Sequence, residues 1–232
     1  MSDLFISIII PTFNEEVKLG GLLKHLKKNC SEISHEIIIA DGGSDDGTVQ
    51  IAESFGATVI HCQNKGRAAQ MNEGAEHSSG TILYFLHADT FPPQNFSDYI
   101  SQSIKKGYKS GCFQLVFDDP DPLLTFYGWF TRFRLTLFRF GDQSLFVEKT
   151  LFEEVGGFDE SMIVMEDQKI VRELKKAGSF QLLDDRVTTS ARRYKINGII
   201  RLQAVFFLIL LLYYSGASQS TLVHVYKEFI DN

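Results

Sequence analysis

The sequence predicts an α/β fold in which a mostly parallel central sheet is flanked by helices. Apolar runs of strand length alternate with segments of helical periodicity through the first 90 residues. Several of these runs end in a polar tip, as buried parallel strands do where their carboxyl ends open on a crevice. The 232 residues suffice for one full hydrophobic core, and no Pro/Gly/Ser-rich linker divides them. We therefore expect a single domain over residues 1–232.

The elements of the first half follow in regular order. The predicted strands are Phe5–Ile10, Glu36–Ala40, Thr58–His61 and Thr81–Leu86. The predicted helices are Glu15–Lys28, Thr48–Phe55 and Arg67–His77. Strands that alternate with helices of this length are joined by right-handed crossovers and pair in parallel.

The second half of the chain does not continue this regular alternation of strands and helices. Pro92-Pro93 should start a helix, Gly111–Phe117 is predicted as a strand, and Leu123–Phe140 carries an apolar stripe at helical spacing. A further helix is predicted over Gln168–Ala177, because its apolar positions recur at helical spacing and Gly178 ends it. We expect these elements to be mixed in direction and to extend the first half's sheet.

Composition excludes several classes of protein. The formal net charge of −6 and the pI of about 5.5 argue against a nucleic-acid-binding face, which would need to be basic. Cys30, Cys62 and Cys112 are widely spaced and odd in number, so we expect reduced core thiols in a cytoplasmic protein. The first predicted strand begins at Phe5, which leaves no room for a signal peptide.

Carboxylates mark the ends of the predicted strands. Asp41 follows the second strand, Asp89 follows the fourth, and Glu166-Asp167 stands just ahead of a helix. Because parallel strands end at one edge of a sheet, we expect Asp41, Asp89 and Asp167 to share one crevice. Each also has a simpler explanation, since acidic residues at these places cap helices, form turns or offset the helix dipole. Asn14 and Glu15, after the first strand, could likewise be caps.

The triplet His87-Ala88-Asp89 indicates a metal site. A single hard carboxylate at a strand end suits Mg²⁺ or Mn²⁺, which takes its other ligands from phosphate and water. Strand alternation would make His87 and Asp89 face the same way. His87 is then either a second ligand or a core group beside the site.

Eight segments in order resemble a known family. They are PTFNEE, ADGGSDDGT, GRAAQMNEGA, LHADT, GDQSLFV, GGFDE, MED and TSARRY. Together they are similar to the family 2-like glycosyltransferases of the GT-A fold, and within these to a small bacterial subgroup labelled selenodomain-associated transferases. The resemblance runs from about Ser7 to Tyr194.

The resemblance implies a nucleoside-diphosphate sugar donor, most often a UDP-sugar, a divalent metal and inversion at the anomeric carbon. It implies a nucleotide-binding half (1–90), an acceptor and catalytic half (91–195) and a C-terminal helical segment (196–232). The residues that would line the nucleotide pocket are Pro11, Thr12, Asn14, Glu15, Asp41, Ser44, Arg67 and Asn72. The metal would lie at Asp89, and Asp167, with Glu166 beside it, would be the general base.

Further residues match the diphosphate and acceptor side of the family's site. Arg192 and Arg193 resemble an arginine-bearing segment near the diphosphate, and His87 stands where the family's first metal-site Asp would be. Coordination would therefore depend on Asp89. Asp142 and Gln143 would lie on the acceptor side, although Asp142 could equally belong to a turn. The segment ARRY replaces the QxxRW pattern of processive members, which favours transfer of a single sugar.

The acceptor is less defined. The apolar run Ala204–Tyr214 is shorter than the ~20 residues that span a bilayer. With its basic flank it could rest on a membrane surface, at the inner face of the membrane, or could form core or a homodimer contact. The acceptor would accordingly be a lipid, an isoprenoid or a small molecule. Two alternatives to transfer remain: a non-catalytic nucleotide-sugar-binding protein, and a sugar-phosphate nucleotidyltransferase.

Overall fold

The computed structural model describes residues 4–30 and 33–230, so the ends of the predicted domain and residues 31–32 lie outside it. Within that range the strands are β1 (Ile6–Thr12), β2 (His35–Asp41), β3 (Thr58–His61), β4 (Ile82–Phe85), β5 (Thr90–Phe91), β6 (Ser110–Phe117), β7 (Leu145–Glu148) and β8 (Phe180–Thr189). They form one sheet in the order β3-β2-β1-β4-β7-β6-β8-β5.

Helices cover both faces of this sheet. They are α1 (Glu16–Asn29), α2 (Thr48–Ser54), α3 (Arg67–Glu76), α4 (Phe96–Lys105), α5 (Pro122–Trp129), α6 (Lys149–Glu154), α7 (Glu166–Ala177), α8 (Arg192–Asn197), α9 (Ile199–Tyr214) and α10 (Gln219–Phe229). The prediction of an α/β fold with flanking helices is confirmed.

Two apolar layers hold the sheet between the helices. Alternate residues of β1 face opposite sides, so Ile8 packs with the leucines of α1 and with Phe96 of α4. Ile9 packs on the other side with Met71 of α3 and Leu174 of α7. Every residue of β1 is buried, as expected for a central parallel strand covered on both faces. Each fully buried large aliphatic side chain contributes roughly 1.5–3 kcal/mol.

The first four strands pair in parallel, as predicted. β7 then enters antiparallel between β4 and β6, with Phe85 opposite Leu145. Because of this register, the residues that follow β4 lie beside the residues that precede β7. β8 runs parallel to β6, and its end pairs with β5, where Thr90 stands opposite Thr189. The antiparallel β4–β7 and β5–β8 pairings bring the end of β4, the start of β7 and the end of β8 to the carboxyl edge of the parallel strands.

Two predicted helices in the second half were wrong in extent. The helix expected at Pro92-Pro93 begins at Phe96, after a turn. The stripe over Leu123–Phe140 is not one helix, because α5 ends at Trp129 and short 3-10 turns follow. Arg139 accounts for the break, since its guanidinium donates to the carbonyls of Thr131 and Phe133. Those carbonyls would otherwise accept from helical amides.

The C-terminal helices form a third, smaller cluster. Leu202, Val205 and Ile209 of α9 are buried with Leu124 of α5 and Leu222 of α10. The predicted apolar run over 204–214 therefore packs on the rest of the chain along one side only. In the part of the chain that the structure describes, none of the helices combines the length and the apolar character needed to cross a bilayer. All three cysteines are free thiols, but only Cys112 is fully buried.

Candidate active site

The ends of β1 and β2 are locked together by α3. Gln70 reaches from α3 and donates from Nε2 to the carbonyl oxygens of Thr12 (2.7 Å) and Ala40 (2.8 Å). Pro11 and Thr12 are buried within β1. The edge of the sheet at these two strands is consequently rigid.

The carboxylate of Asp41 organises the turn that follows β2. Its Oδ1 accepts from Thr12 Oγ1 (3.1 Å) and from the Ser44 hydroxyl, and its Oδ2 accepts from the backbone N–H of Gly43 (3.0 Å) and Ser44 (2.9 Å). The residue is only 1% exposed. Asp41 therefore shapes the turn, and its contact with a nucleotide base stays a prediction.

Asn14 and Glu15 connect the turn after β2 with the arginine segment at Arg192. Asn14 adopts a left-handed backbone with φ of 55°, and its N–H donates to Ser44 Oγ (2.9 Å). Glu15 Oε1 lies 3.7 Å from Arg192. Burial raises the pKa of Glu15, although the charge of Arg192 opposes the rise. The nucleotide side and the arginine segment are thus in electrostatic contact.

The residues 87–89 form a turn, because β4 ends at Phe85. Strand alternation, the reason for expecting His87 and Asp89 to face the same way, therefore does not apply to these residues. His87 Nδ1 instead pairs with Asp142 Oδ1 at 2.8 Å, a contact that follows from the β4–β7 register. Burial acts to lower the pKa of His87, but the hydrogen bond with Asp142 and the charges of Asp142 and Asp167 together raise it. Burial acts to raise the pKa of Asp142, but the hydrogen bond with His87 and the positive charges nearby together lower it.

Asp89 lies where this turn meets the end of β8. Its backbone oxygen accepts from Ser190 N (3.2 Å), which places the start of α8 beside it. Burial and the charge of Asp142 raise the pKa of Asp89, while His87, Arg192 and Arg193 partly offset that rise. Arg193 also donates to the hydroxyl of Tyr226 (2.6 Å). The predicted metal ligand and the predicted diphosphate arginines therefore share one neighbourhood.

The donor set at Asp89 fits a divalent cation. Within residues 4–30 and 33–230, no group of three or more His, Cys, Asp or Glu side chains is arranged to hold a metal ion. Mg²⁺ and Mn²⁺ often take only one or two carboxylates from a protein and complete their shell with phosphate and water. Burial and the charge of Asp142 raise the pKa of Asp89, and a bound cation would favour the ionised carboxylate.

The first turn of α7 carries the two remaining acids. They lie inside the helix, and not just ahead of it as predicted. Glu166 is 1% exposed, and its Oε1 is 3.2 Å from Arg67 Nε. Burial and the charge of Asp167 raise the pKa of Glu166 to about 7, against the opposing effect of Arg67. Met165, just before this turn, has a positive φ of 70°.

Gly141 separates His87 from Asp167. A Cβ built on Gly141 would lie 2.8 Å from His87 Cε1 and 2.7 Å from Asp167 Cγ. The same three residues border a cavity of about 20 Å³ that opens beneath the site. Asp167 is half-buried, so its carboxylate remains accessible to a small reactant.

Two predicted site residues are held by structural contacts. Asn72 donates to the backbone oxygen of Phe158 and to Glu160, and its Oδ1 accepts from Phe158 N, each at 2.9 Å. Gln143 is buried and bonds the backbone of Phe113 and Phe140, each at 3.0 Å. Both amides stabilise loops around the site.

Sequence reasoning missed the role of Gln70 and the close approach of Gly141 to Asp167. A polar residue between Ala69 and Met71 on a buried helix face was a usable signal for Gln70. Nothing local could have shown that Gly141 approaches Asp167, because the two are 26 positions apart in the chain.

Solved structures with this architecture are glycosyltransferases. The chain superposes on Staphylococcus aureus TarS 1–349 in complex with UDP-GlcNAc with a TM-score of 0.69 at 17% identity, covering 97% of this chain and 71% of that one. For the Pyrobaculum calidifontis mannosyltransferase PcManGT in complex with GDP-Man and Mn²⁺ the TM-score is 0.69 at 15% identity, with 90% and 63% covered. At these identities the likeness shows the GT-A fold.

Curated relatives match less than half of the chain. Glycosyltransferase AglE of Haloferax volcanii is 34% identical over 99 residues, which are 40% of this chain and 33% of the relative. An undecaprenyl-phosphate 4-deoxy-4-formamido-L-arabinose transferase of Aeromonas hydrophila is 29% identical over 112 residues, or 44% of this chain and 34% of the relative. The matched region thus spans about a third of each relative's length.

The strongest link is the match of residues 7–156, most of the chain, to the family model described as glycosyl transferase family 2. That stretch contains the β1 and β2 tips, the 87–89 turn and Asp142. With the GT-A architecture and the strand-end site in place, the chain belongs to glycosyl transferase family 2.

Proposed function

We propose that the protein is an inverting, metal-dependent transferase that moves one sugar from a UDP-sugar to an acceptor hydroxyl. The observation that carries this proposal is the position of Asp167. Its half-buried carboxylate lies in the first turn of α7, against Gly141 and His87. His87 in turn contacts Asp142, whose charge also acts on Asp89. The proposed base and the proposed cation-binding carboxylate are therefore linked through His87 and Asp142.

Asp167 is the general base in this proposal. It takes the proton of the acceptor hydroxyl as that oxygen attacks the anomeric carbon, and assistance of this kind contributes on the order of 10²–10⁴-fold. Glu166 is less suited to the role, because it is buried and paired with Arg67. Glu166 instead holds Arg67 of α3 against α7 and so positions the base.

The donor is bound along the β1 and β2 tips. Thr12, Asn14 and Ser44, which are joined by hydrogen bonds to Asp41 and to one another, form the edge where a nucleoside would lie. Arg192 and Arg193 supply positive charge for the diphosphate, whose negative charge grows as the sugar departs. Asp89 would hold a Mg²⁺ or Mn²⁺ ion, which when bound stabilises charge on the leaving diphosphate.

Features of the site favour sugar transfer over the two alternatives, a non-catalytic nucleotide-sugar-binding protein and a sugar-phosphate nucleotidyltransferase. A binding protein would need the nucleotide contacts but no accessible carboxylate beside the metal position. A nucleotidyltransferase would need a Gly-rich, basic loop after β1, where this chain has Pro11, Thr12, Asn14 and Glu15. Of the similar structures, one is a complex with UDP-GlcNAc and another a complex with GDP-Man and Mn²⁺, which supports a nucleotide-sugar donor and a divalent ion.

The substitution Asp167→Asn tests the assignment of the base. We expect transfer to fall by about 10²–10⁴-fold, while calorimetry with UDP and Mn²⁺ shows unchanged binding. Glu173→Gln, at the outer face of the same helix, is the matched control and should retain transfer. Transfer by Asp167→Asn at the wild-type rate would refute the proposed base.

A further inference from the structure

Six large apolar side chains are exposed along residues 126–140. Phe126 and Trp129 of α5 are 54% and 43% exposed, and Phe133, Leu135, Leu137 and Phe140 continue the exposed set beyond the helix. We call these six side chains the aromatic surface. Contiguous apolar exposure of this kind marks a binding surface more often than a solvent-facing one.

Contacts among the rings make the aromatic surface a fixed platform. Trp129 meets Phe133 edge to face with ring centroids 4.9 Å apart, and Phe126 meets Phe130 at 5.0 Å. Beneath them Arg139, only 1% exposed, donates to the backbone carbonyl of Thr131 (2.8 Å). The exposed rings are therefore held in place from below.

The segments that form this surface contain cations and no acids. Residues 122–141 and 186–227 contain no Asp or Glu, in a chain whose net charge is −6. Arg132, Arg134 and Arg201 are all exposed, and the Arg132 guanidinium lies 5.0 Å from the centre of the Trp129 ring. Arginine and tryptophan side by side are typical of the interface between water and an anionic lipid layer.

The aromatic surface adjoins the candidate active site. Phe140 directly precedes Gly141, which touches Asp167. Gln168, the residue after Asp167, donates to the carbonyls of Leu137 (3.1 Å) and Arg139 (2.7 Å). Gln168 also accepts from the hydroxyl of Tyr214 (3.0 Å), at the end of α9. The apolar outer sides of α5 and α9 thus both lead to the first turn of α7.

We propose that the aromatic surface docks the protein on an anionic lipid bilayer, so that an acceptor carried by a lipid reaches Asp167 from the membrane side. Rings and leucines would enter the headgroup region while Arg132 and Arg134 meet lipid phosphates. The inference rests on the proposed function only for the acceptor; docking itself requires neither donor nor transfer.

Co-sedimentation with vesicles tests the docking. The full chain, without nucleotide, is mixed with phosphatidylcholine vesicles that contain or lack phosphatidylglycerol. We expect binding to the anionic vesicles only, and loss of that binding as salt is raised. The double variants Phe126→Ser/Trp129→Ser and Arg132→Gln/Arg134→Gln should each lower it about tenfold or more. The matched controls Val17→Ser and Lys27→Gln/Lys28→Gln, on exposed positions of α1, should bind like the wild type.

Two results would overturn the proposal. One is the absence of binding at any phosphatidylglycerol content, or an equal loss in the α1 controls. The other is a wild-type dimer in light scattering that the serine variant dissociates, which would assign the surface to a second copy of the chain. Thermal melts confirm that each variant folds. Binding of UDP with Mn²⁺, measured separately, tests the proposed function and leaves the vesicle result unaffected.

Discussion

Gly141 illustrates how a single missing side chain sets the geometry of the site. The position leaves room for His87 on one side and the Asp167 carboxylate on the other. Any Cβ here would press on both, so the two functional side chains can approach only because this residue is glycine.

The substitution Gly141→Ala should therefore impair transfer more than folding. The added methyl group would displace Asp167 or His87, and misplacing a reacting group by about 1 Å can cost on the order of 10²-fold in rate. Rates and melting temperatures check this. In the control Gly21→Ala, on α1, the new methyl would meet only an ordinary contact at 3.8 Å, so stability should rise slightly. Full activity in Gly141→Ala would contradict the steric role.

Glu166 links the stability of the fold to pH. Its pKa of about 7 lies above the ordinary value of 4.5 because the carboxyl is buried and next to Asp167. Between these two pH values the folded chain keeps a proton that the unfolded chain has lost. The contribution of this group to stability is therefore fully present below about pH 4.5 and is lost as the pH rises towards 7.

The variant Glu166→Gln should remove this pH dependence. The free energy of unfolding of the wild type relative to the variant should fall with pH by up to about 1.4 kcal/mol per unit across the window. Urea unfolding at pH 5, 6 and 7.5 measures it, and Glu53→Gln, at an exposed position of α2, serves as the control. Parallel curves for the wild type and Glu166→Gln would show that Glu166 does not titrate there.

At the scale of elements, local patterns predicted the first half of the fold well. β3 was predicted to the residue, and β1 and β2 differed at their ends by one or two positions. Each apolar run there has its own periodicity and its own Pro or Gly boundary. The contact of His87 with Asp142 had no such signal, because it depends on β7 running antiparallel beside β4. Pairing across 55 positions is a property of the sheet and not of any segment.

The loop after α6 shows the same dependence on a distant element. It carries the motif GGFDE, and Asn72 of α3 fastens it through three hydrogen bonds. The sequence predicted that Asn72 contacts the nucleotide, whereas its amide in the structure is engaged by this loop. Phe158, the anchored residue, is itself buried between Phe85 and Phe152.

The substitution Asn72→Ala should destabilise the protein without weakening nucleotide binding. Loss of the amide leaves the backbone groups of Phe158 without partners, at a cost of about 1–3 kcal/mol. Denaturant unfolding measures the loss, and Asn64→Ala, at an exposed position before α3, is the control. Calorimetry with UDP and Mn²⁺ decides between the two roles, since a weakened affinity would favour the nucleotide contact.

For the whole molecule, acids and cations are segregated around one edge of the sheet. Asp89 and Asp142 face Arg192 and Arg193 there, whereas the outer surface near residues 122–141 carries only cations. A ligand that brings both phosphate and a divalent ion would match this arrangement and stabilise the folded state by mass action.

The melting temperature should respond to ligands accordingly. UDP with Mn²⁺ should raise it for the wild type, and Asp89→Asn should abolish the part of the increase that requires Mn²⁺. Without ligand, Asp89→Asn should melt at or above the wild-type temperature, because a buried carboxylate repelled by Asp142 is neutralised. Asp184→Asn, an exposed position on β8, should behave like the wild type throughout. A metal response retained by Asp89→Asn would exclude Asp89 as the ligand.

The position of β7 in the sequence, far after its partner β4, has a consequence for synthesis of the chain. When the ribosome has released only the first 90 residues, β4 has β1 on one side and nothing on the other. Its sequence Ile-Leu-Tyr-Phe is then an unpaired apolar edge strand, which can pair with the same strand of another copy of the chain. This edge is covered only after residues 145–148 have been synthesised, because they form β7, which pairs with β4. An excised fragment of residues 1–90, with its nucleotide-binding motifs intact, should therefore aggregate in the cell.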